Sequence, residues 1–369
     1  MLVYKPDINE FQLTLFGNSF GESILLHLSN GKWIIIDSCI NPNNKKNAPL
    51  EYLETIGVDI EKQVIMLVVS HWDSDHIEGA STILEKCKNA KLVLSSAINC
   101  KEFCQFANIV NERPVYSSLS RGTDEILKIM SIGLDKKKRG EPYNFIWAKS
   151  NTPLYSDKNE GFGYSGKITS LSPSDHAITS AMIEIAKLIP REGSKIGHKS
   201  SIIPNLFSIV LWVSVEDKNI LLGADLENRA HPDGAWAIIA NDNFRPEGSA
   251  DVFKIPHHGS ENAYCHDVYE NMLIKKHISI LTPFKNGNII LPKDKDIARL
   301  KESGCSEVFM ACQIPKKKYK HDSSVERTFK ERTKKRETLN TFGFITVSKN
   351  LMDVNSQWKT STFGQAYKL

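Results

Sequence analysis

The stretch VVSHWDSDHIEG, residues 68–79, joins an apolar segment to a turn that is rich in metal-binding side chains. The residues that lead into it, 63–69, are almost continuously aliphatic, which is typical of a strand buried on both faces. Imidazole and carboxylate groups are the usual protein ligands of zinc, manganese and iron. The stretch therefore predicts a metal-binding turn at the carboxyl end of a central strand. Four such groups fall within six positions: His71, Asp73, Asp75 and His76.

The spacing inside this stretch suits two neighbouring metal positions. His71 and Asp73 are two residues apart, so in an extended segment their side chains point the same way. Asp75 and His76 begin the next predicted helix and can turn toward a second position close by. Two cations held this closely need a bridging anion, which another part of the chain has to supply.

Three further segments end a predicted strand and then place residues of the same kind in the turn. One strand ends at Asp37, one at Asp225, and one runs into the pair His257 and His258. Reactive groups of α/β sheets gather at the carboxyl ends of strands, so we expect these turns to converge on one cleft. Asp225 is the candidate for the bridging anion. One or both histidines of the pair would complete the coordination.

The order of predicted elements indicates the fold class. Strands alternate with helices after a strand-rich start, which predicts an α/β sandwich of packed sheets with helices outside. We expect one domain over residues 1–369. Within it, residues from about 99 to 200 read as an inserted region of loops and helices, and residues from about 313 to 338 as a basic segment.

Composition narrows the class of protein. No apolar run reaches the roughly 18 residues that a membrane-spanning helix needs, and no secretory signal opens the chain. The seven cysteines are odd in number and scattered, which favours a reducing compartment over a disulfide framework. A cytoplasmic protein with no membrane partner is therefore expected.

Positive charge is concentrated in two places, although the formal net charge is only +4. These are DKKKR at 135–139 and the long basic run at 316–337. A charge run is usually a solvated face. Two such runs together also favour a surface that attracts phosphate groups, and hence nucleic acid as a substrate. Nothing in the sequence indicates a protein partner.

The ordered set of motifs resembles the metallo-β-lactamase superfamily. Within it, the set is most similar to the hydrolase domain of ComEC-type DNA-uptake proteins and their free-standing soluble relatives. The resemblance implies a four-layer αββα sandwich and a hydrolase that uses two divalent ions, zinc or manganese. The stretches that carry it are FGNSFGESILLHLSNGKWIIIDS, VVSHWDSDHIEG, NLFSIVL, LLGADLE and KIPHHGS.

The resemblance also implies metal roles for particular residues. His71 and Asp73 would hold one ion, Asp75 and His76 the other, and Asp225 would bridge the two. His257 would be the terminal ligand, while His258 would either replace it or contact the leaving group. Asp75 would also accept the proton of the attacking water.

Other positions match motifs of the family without being ligands. Asp37 would orient the ligands from behind, through hydrogen bonds. Three residues would face the substrate: Asn205, Ser208 and Ser260. For Asn205 and Ser208, a structural role as buried polar groups is an open alternative.

The sequence departs from the family pattern at three points. Glu22 stands where relatives commonly have aspartate. Many relatives carry a single histidine ligand between the first cluster and the bridging aspartate. In this sequence, the histidines at the corresponding place in the order of motifs are His176 and His198. A late histidine that is common in this branch is replaced by Leu291.

The function expected from these observations is that of a metal-dependent phosphodiesterase, a nuclease acting on nucleic acid. Two alternatives remain open. The first is a hydrolase of small esters, lactones or phosphorylcholine-like groups. The second is a non-catalytic subunit that a metal stabilises within a larger assembly, for example one of defence.

Overall fold

The computed structural model describes residues 3–111, 117–140, 145–157, 164–189, 204–228, 235–314, 341–353 and 355–369, and single positions between 324 and 332. Its strands are β1 (Glu10–Gly17), β2 (Glu22–Leu28), β3 (Trp33–Ile36), β4 (Val64–Val68), β5 (Lys91–Ser95), β6 (Phe145–Ala148), β7 (Thr152–Ser156), β8 (Gly166–Ser170), β9 (Leu211–Val215), β10 (Lys218–Leu222), β11 (Ala250–Lys254), β12 (Leu273–Leu281), β13 (Phe284–Asn286), β14 (Ile289–Leu291), β15 (Glu307–Met310), β16 (Gly343–Asn350), β17 (Lys359–Gly364) and β18 (Tyr367–Lys368). Its helices are α1 (Ala48–Thr55), α2 (Ile60–Gln63), α3 (Ser74–Ile77), α4 (Ala80–Lys86), α5 (Lys101–Asn111), α6 (Ser117–Lys138), α7 (Asp175–Leu188), α8 (Ala235–Ala240), α9 (His266–Asn271) and α10 (Asp294–Glu302).

The described strands form two eight-stranded sheets and a small hairpin of β13 and β14. The first sheet has the order β17-β16-β1-β2-β3-β4-β5-β6, and the second has the order β18-β15-β12-β11-β10-β9-β8-β7. In the first sheet, β1 pairs antiparallel with β16, from Glu10 opposite Asn350 to Gly17 opposite Gly343. The pairs β3–β4 and β10–β11 are parallel, so the carboxyl ends of each pair lie at the same edge of their sheet.

The apolar side chains form three layers. Between the sheets lie aliphatic side chains of both, such as Leu13 and Ile220. Successive residues of β3 alternate between faces, so Ile35 packs on the other side against α1, α4 and α5. On the outer face of the second sheet, Trp212 packs with residues of α8, α9 and α10. Helices thus cover both sheets, and the predicted four-layer αββα sandwich is confirmed.

Local sequence explains the first helix and the turn before β3. The side chain of Asn47 accepts a hydrogen bond from the backbone amide of Leu50, which caps the amino end of α1. Gly57, with φ at +71°, follows the carboxyl end. The turn between β2 and β3 contains Gly31 at φ +75°, a conformation that glycine adopts without strain.

The region from 99 to 200 contains strands as well as helices. β6 extends the first sheet, while β7 and β8 extend the second. The sequence indicated loops here because these short strands lack a long aliphatic run. Near the end of the chain, β17 and β18 follow β16 as two further strands. Most of the basic segment at 313–338 lies outside the described residues.

The helix α6 contacts the turn that carries the predicted metal ligands. A Cβ atom added at Gly122 would lie 1.8 Å from the backbone oxygen of Trp72, so only glycine allows this approach. The carboxylate of Glu125 accepts hydrogen bonds from the amide and hydroxyl of Ser81, at 2.8 and 2.7 Å. The helix therefore holds both the metal-ligand turn and the start of α4.

Among the helices that the structure describes, none combines the length and the apolar character needed to cross a bilayer.

Candidate metal centre

Four buried side chains bring their ligand atoms together where the carboxyl ends of the strands meet. These atoms all lie within 4.8 Å of one another, and they belong to Glu22, His76, Asp225 and His258. His76 follows β4, Asp225 follows β10, and His258 follows β11. A carboxylate oxygen of Asp75 lies 3.7 Å from Nε2 of His258 and 4.0 Å from Nε2 of His76. The expected convergence of these turns is therefore present in the geometry.

Two histidines of the centre are oriented through Nδ1. The Nδ1 atom of His76 lies 2.8 Å from Oδ2 of Asp37. The Nδ1 atom of His258 lies 3.1 Å from the backbone oxygen of Thr282, to which it can only donate. With Nδ1 engaged in this way, each ring directs Nε2 into the cluster.

A third histidine is oriented in the same way. The Nδ1 atom of His71 lies 3.0 Å from the hydroxyl oxygen of Ser70. That hydroxyl donates a hydrogen bond to Oδ2 of Asp37 at 2.7 Å, so its oxygen accepts a hydrogen bond from Nδ1–H of His71. The backbone amide of Ser70 donates to the other oxygen of Asp37, also at 2.7 Å. Asp37 thus contacts His76 directly and His71 through a serine.

The inward-facing atoms lie close together but lack hydrogen-bond partners: Nε2 of His76 is 3.3 Å from Oδ1 of Asp225, and Nε2 of His258 is 3.4 Å from Oδ2 of Asp225. Among the described residues, Oδ1 of Asp225 and Nε2 of each of the three histidines are buried without a hydrogen-bond partner. A buried polar atom left without a partner costs about 1–3 kcal/mol. A cation in the cluster would satisfy Oδ1 of Asp225 and Nε2 of His76 and His258, and imidazole nitrogen with carboxylate oxygen is a donor set that suits zinc or manganese. The residues present therefore fit a divalent ion.

The structure distinguishes between the two adjacent histidines. His258 is 1% exposed and belongs to the cluster, whereas His257 lies outside it. Both ring nitrogens of His257 have protein partners, since Nδ1 lies 3.1 Å from Oδ1 of Asn262 and Nε2 lies 3.2 Å from Nδ2 of Asn205. His257, expected as the terminal ligand, is thus engaged in a separate polar network.

Asp73 lies at the edge of the centre. Its side chain is 34% exposed, and Oδ2 lies 3.8 Å from Nε2 of His71. Of the two candidates for a further histidine ligand, His176 is exposed at the start of α7, and His198 lies outside the described residues.

The residues expected to face the substrate lie beside the centre. Asn205 donates from Nδ2 to Oε1 of Glu227 at 3.0 Å. Its Oδ1 atom and the hydroxyl of Ser208 are buried without a partner among the described residues. The hydroxyl of Ser260 lies 3.3 Å from Nδ1 of His257. Asn205 and Ser260 belong to the polar network that contains His257.

Backbone strain accompanies the site. Four residues of its turns have left-handed φ angles although none is glycine: Asp37 at 59°, Ala224 at 44°, His257 at 44° and His258 at 54°. Each such residue costs on the order of 1–3 kcal/mol and persists only where surrounding contacts hold it. Strain of this kind clusters at functional sites.

Electrostatics shift the ionisation of the cluster. Burial acts to lower the pKa of His76, but the carboxylates of Asp225 and Asp37 outweigh it and raise that pKa well above its usual value. Burial lowers the pKa of His71 to about 3. The concentration of carboxylates makes the centre attractive to cations.

Two members of the centre were not predicted from the sequence. Glu22, at the start of β2, was noted only as a departure from aspartate, and Lys254, at the end of β11, was not considered. Both are buried, and their side chains form an ion pair. The only sequence signal is their position, since Glu22 follows a glycine and Lys254 stands two residues before the Pro-His-His stretch.

Comparisons with known proteins complete the description. No protein-family model matches this sequence. The curated protein "Recombination protein 2" of Haemophilus influenzae is 39% identical over 80 residues, which are 21% of this chain and 10% of that protein. The match thus spans about a tenth of the length of that relative.

Solved structures with similarity to the chain include a mutant of a metallo-β-lactamase with a HARLDQ motif from Cronobacter sakazakii. It is 14% identical, with 63% of this chain and 70% of that chain covered and a TM-score of 0.32. Zn²⁺-bound PqqB from Methylobacterium extorquens is 10% identical, with 80% and 97% covered and a TM-score of 0.37. Identities of this size concern the fold alone. The chain itself shows a mixed α/β fold of two sheets flanked by helices, with a buried cluster that could hold a metal ion.

Proposed function

We propose that this chain is a metal-dependent hydrolase of the metallo-β-lactamase superfamily, and that it is a phosphodiesterase acting on nucleic acid. The observation that carries the proposal is that three buried atoms without hydrogen-bond partners, Nε2 of His76, Nε2 of His258 and Oδ1 of Asp225, meet in one cluster at the strand ends. Most buried polar atoms in proteins have a hydrogen-bond partner, so the convergence of several unpartnered ligand-type atoms on one point favours a bound cation.

The donor set supports two positions for divalent ions, zinc or manganese. Asp75, His76 and His258 would hold one ion, and His71 with Asp73 the other. Asp225 would contribute to both. When bound, such ions lower the pKa of a coordinated water and offset the negative charge that develops on the substrate's oxygens.

The protein's own side chains would accept the proton of the water, orient the metal ligands and set the charge of the centre. Asp75 is nearly buried, with 11% of its side chain exposed, and its Oδ2 faces His258, so it is placed to accept the proton of the attacking water. Asp37 orients His76 directly and His71 through Ser70, so that Nε2 of each ring would be available to an ion. The partly exposed Asp73 makes the centre more anionic than a three-histidine site, which favours harder ions such as manganese beside zinc.

Two observations support nucleic acid as the substrate. The relative that matches over 80 residues is named as a recombination protein. The carboxyl end of α6 exposes Lys137 and Lys138, and the long basic run near residues 316–337 adds positive charge elsewhere in the sequence. Cations at these positions would attract a phosphate backbone.

The test is a cleavage assay on purified protein with zinc or manganese, using labelled single- and double-stranded DNA and RNA. Asp75→Ala should lower the cleavage rate by about 100-fold or more. The matched control is Asp175→Ala, which removes an exposed carboxylate in the first turn of α7 and should leave the rate unchanged. Absence of cleavage of every nucleic acid by metal-loaded protein contradicts the substrate class.

The small exposed fraction of the candidate ligands favours a second candidate, a hydrolase of small esters, lactones or phosphorylcholine-like groups. His76 and His258 are 0% and 1% exposed, which suits a compact substrate. If the protein hydrolyses such small compounds but does not cleave nucleic acid, this second candidate is the correct activity. Bound metal without turnover of either class identifies the non-catalytic alternative.

A further inference from the structure

A buried lysine lies beside the metal centre. Lys254 is 0% exposed, and its Nζ atom forms an ion pair with Oε1 of Glu22. The same Nζ lies 3.6 Å from Oδ1 of Asp225, one of the unpartnered atoms of the cluster. A buried ammonium group is costly unless it is paired and hydrogen-bonded, so these contacts fix its position.

Both carboxylate oxygens of Glu22 have protein partners. Oε1 contacts Lys254, and Oε2 accepts a hydrogen bond from the hydroxyl of Thr282. Thr282 also orients His258, whose Nδ1 lies 3.1 Å from its backbone oxygen and 3.0 Å from its hydroxyl oxygen. Glu22 therefore differs from the other members of the cluster, whose inward-facing atoms have no hydrogen-bond partner.

Lys254 also holds the backbone that presents Asp225. Its Nζ donates to the carbonyl of Ala224 at 2.9 Å, and the amide of His257 donates to the same carbonyl at 3.1 Å. Ala224 has a left-handed φ of 44°, so this conformation needs contacts that hold it. The amide of Gly223 donates to the carbonyl of Lys254 at 3.1 Å, which joins the turn to the end of β11.

We propose that Lys254 is the positioning residue of the metal centre and that Glu22 is its counterion rather than a metal ligand. The ammonium group holds the carboxylate of Asp225 and the strained turn before it in the orientation that an ion requires. Glu22 supports the centre through Lys254 and Thr282. This inference rests on the proposed metal centre and is independent of the substrate.

The experiment measures metal binding rather than activity. Metal-free wild type and variants are titrated with zinc and with manganese against a chromophoric competitor, and bound ions are counted by native mass spectrometry. We expect Lys254→Met and Glu22→Gln each to weaken binding by about 10- to 100-fold without changing the number of ions bound at saturation. The double variant should bind about as tightly as Lys254→Met alone, because Glu22 acts mainly through the lysine.

Asp225→Asn is the comparison for a true ligand and should lower the number of bound ions. Loss of an ion from Glu22→Gln, or equal weakening by Glu22→Gln with and without Lys254, would identify Glu22 as a ligand and overturn the proposal. Unchanged affinity in folded Lys254→Met overturns it as well.

Circular dichroism establishes which variants are folded before each titration. Should Lys254→Met not fold, Lys254→Arg takes its place, because arginine keeps the charge but not the length of the side chain. Weaker binding with unchanged ion number then supports the proposal, and unchanged affinity contradicts it. If the wild-type protein binds neither metal, both the proposed metal centre and the role of Lys254 are wrong. If it binds metal but cleaves no nucleic acid, only the proposed substrate is wrong.

Discussion

Asp37 and His76 lie 2.8 Å apart, from Oδ2 to Nδ1, and the same carboxylate also accepts two hydrogen bonds from Ser70. A side chain with no direct place in the cluster therefore determines how the imidazole of His76 faces it. Asp37 adopts a left-handed φ of 59°, which aspartate and asparagine tolerate better than most residues. This contact can consequently be changed with little effect on the backbone.

The substitution Asp37→Asn should weaken zinc binding by about 10- to 100-fold, because the amide accepts less strongly from the imidazole and removes a negative charge behind it. The measurement is a competition titration with a chromophoric chelator, alongside circular dichroism. Asp59→Asn, at the amino end of α2, is the control and should bind zinc as wild type does. Equal affinity of the two variants would show that Asp37 does not support the centre.

The adjacent histidines should respond differently to removal. His258→Ala takes away an unpartnered Nε2 of the cluster and should lower the number of ions bound. His257→Ala removes a ring whose nitrogens both have protein partners and should leave that number unchanged. Native mass spectrometry of the two purified variants provides the comparison. The reverse pattern would make His257 the ligand.

The substitution Gly122→Ala should disturb the metal-ligand turn from outside. The added methyl group would lie 1.8 Å from the oxygen of Trp72, so the helix or the turn has to move. We expect a loss of about 1–3 kcal/mol in the free energy of unfolding and weaker metal binding. Urea unfolding and zinc titration measure the two effects. Ser131→Ala, at an exposed position of the same helix, should change neither.

An ion pair between the two sheets should make stability depend on acid pH. Burial acts to raise the pKa of Asp157, but hydrogen bonds from Lys32 and Tyr155 outweigh it and hold that pKa below its usual value. The lowered pKa means that this stabilisation is fully present above the unfolded-state value of about 3.9 and is lost as pH falls through the folded value.

The substitution Asp157→Asn isolates this contribution. Wild type should be the more stable protein at pH 7, by no more than about 1 kcal/mol. The difference should shrink as pH falls below about 4. Urea midpoints of both proteins across this range test the expectation, and a difference that does not change with pH would assign the effect to something other than the carboxylate charge.

Short-range sequence patterns were sufficient to predict much of the fold. The strands that end before Asp37, His71 and Asp225 are aliphatic runs followed by polar turns, and both features belong to neighbouring residues. The layered α/β class follows from their alternation with helices and is confirmed. β6, β7 and β8 gave no such signal, because they are short and form where a sheet edge already exists.

The composition of the centre depends on contacts that the sequence does not encode locally. The left-handed backbone of His257 and His258 and the contact with Thr282 determine which of the two histidines faces inward. Thr282 directly follows β12 and is thus distant from both histidines in the sequence. The pairing of Glu22 with Lys254 joins β2 of one sheet to β11 of the other. The metal roles of these residues remain predictions until ions are measured.

The pairing of β1 with β16 has a consequence for how the protein is made. Residues 10–17 are synthesised long before residues 343–350, which cover their open edge. During translation, the edge of β1 that later pairs with β16 therefore has backbone amide and carbonyl groups without hydrogen-bond partners, and another nascent chain could bind there. We expect newly made chains to depend on chaperone protection until the closing strand emerges.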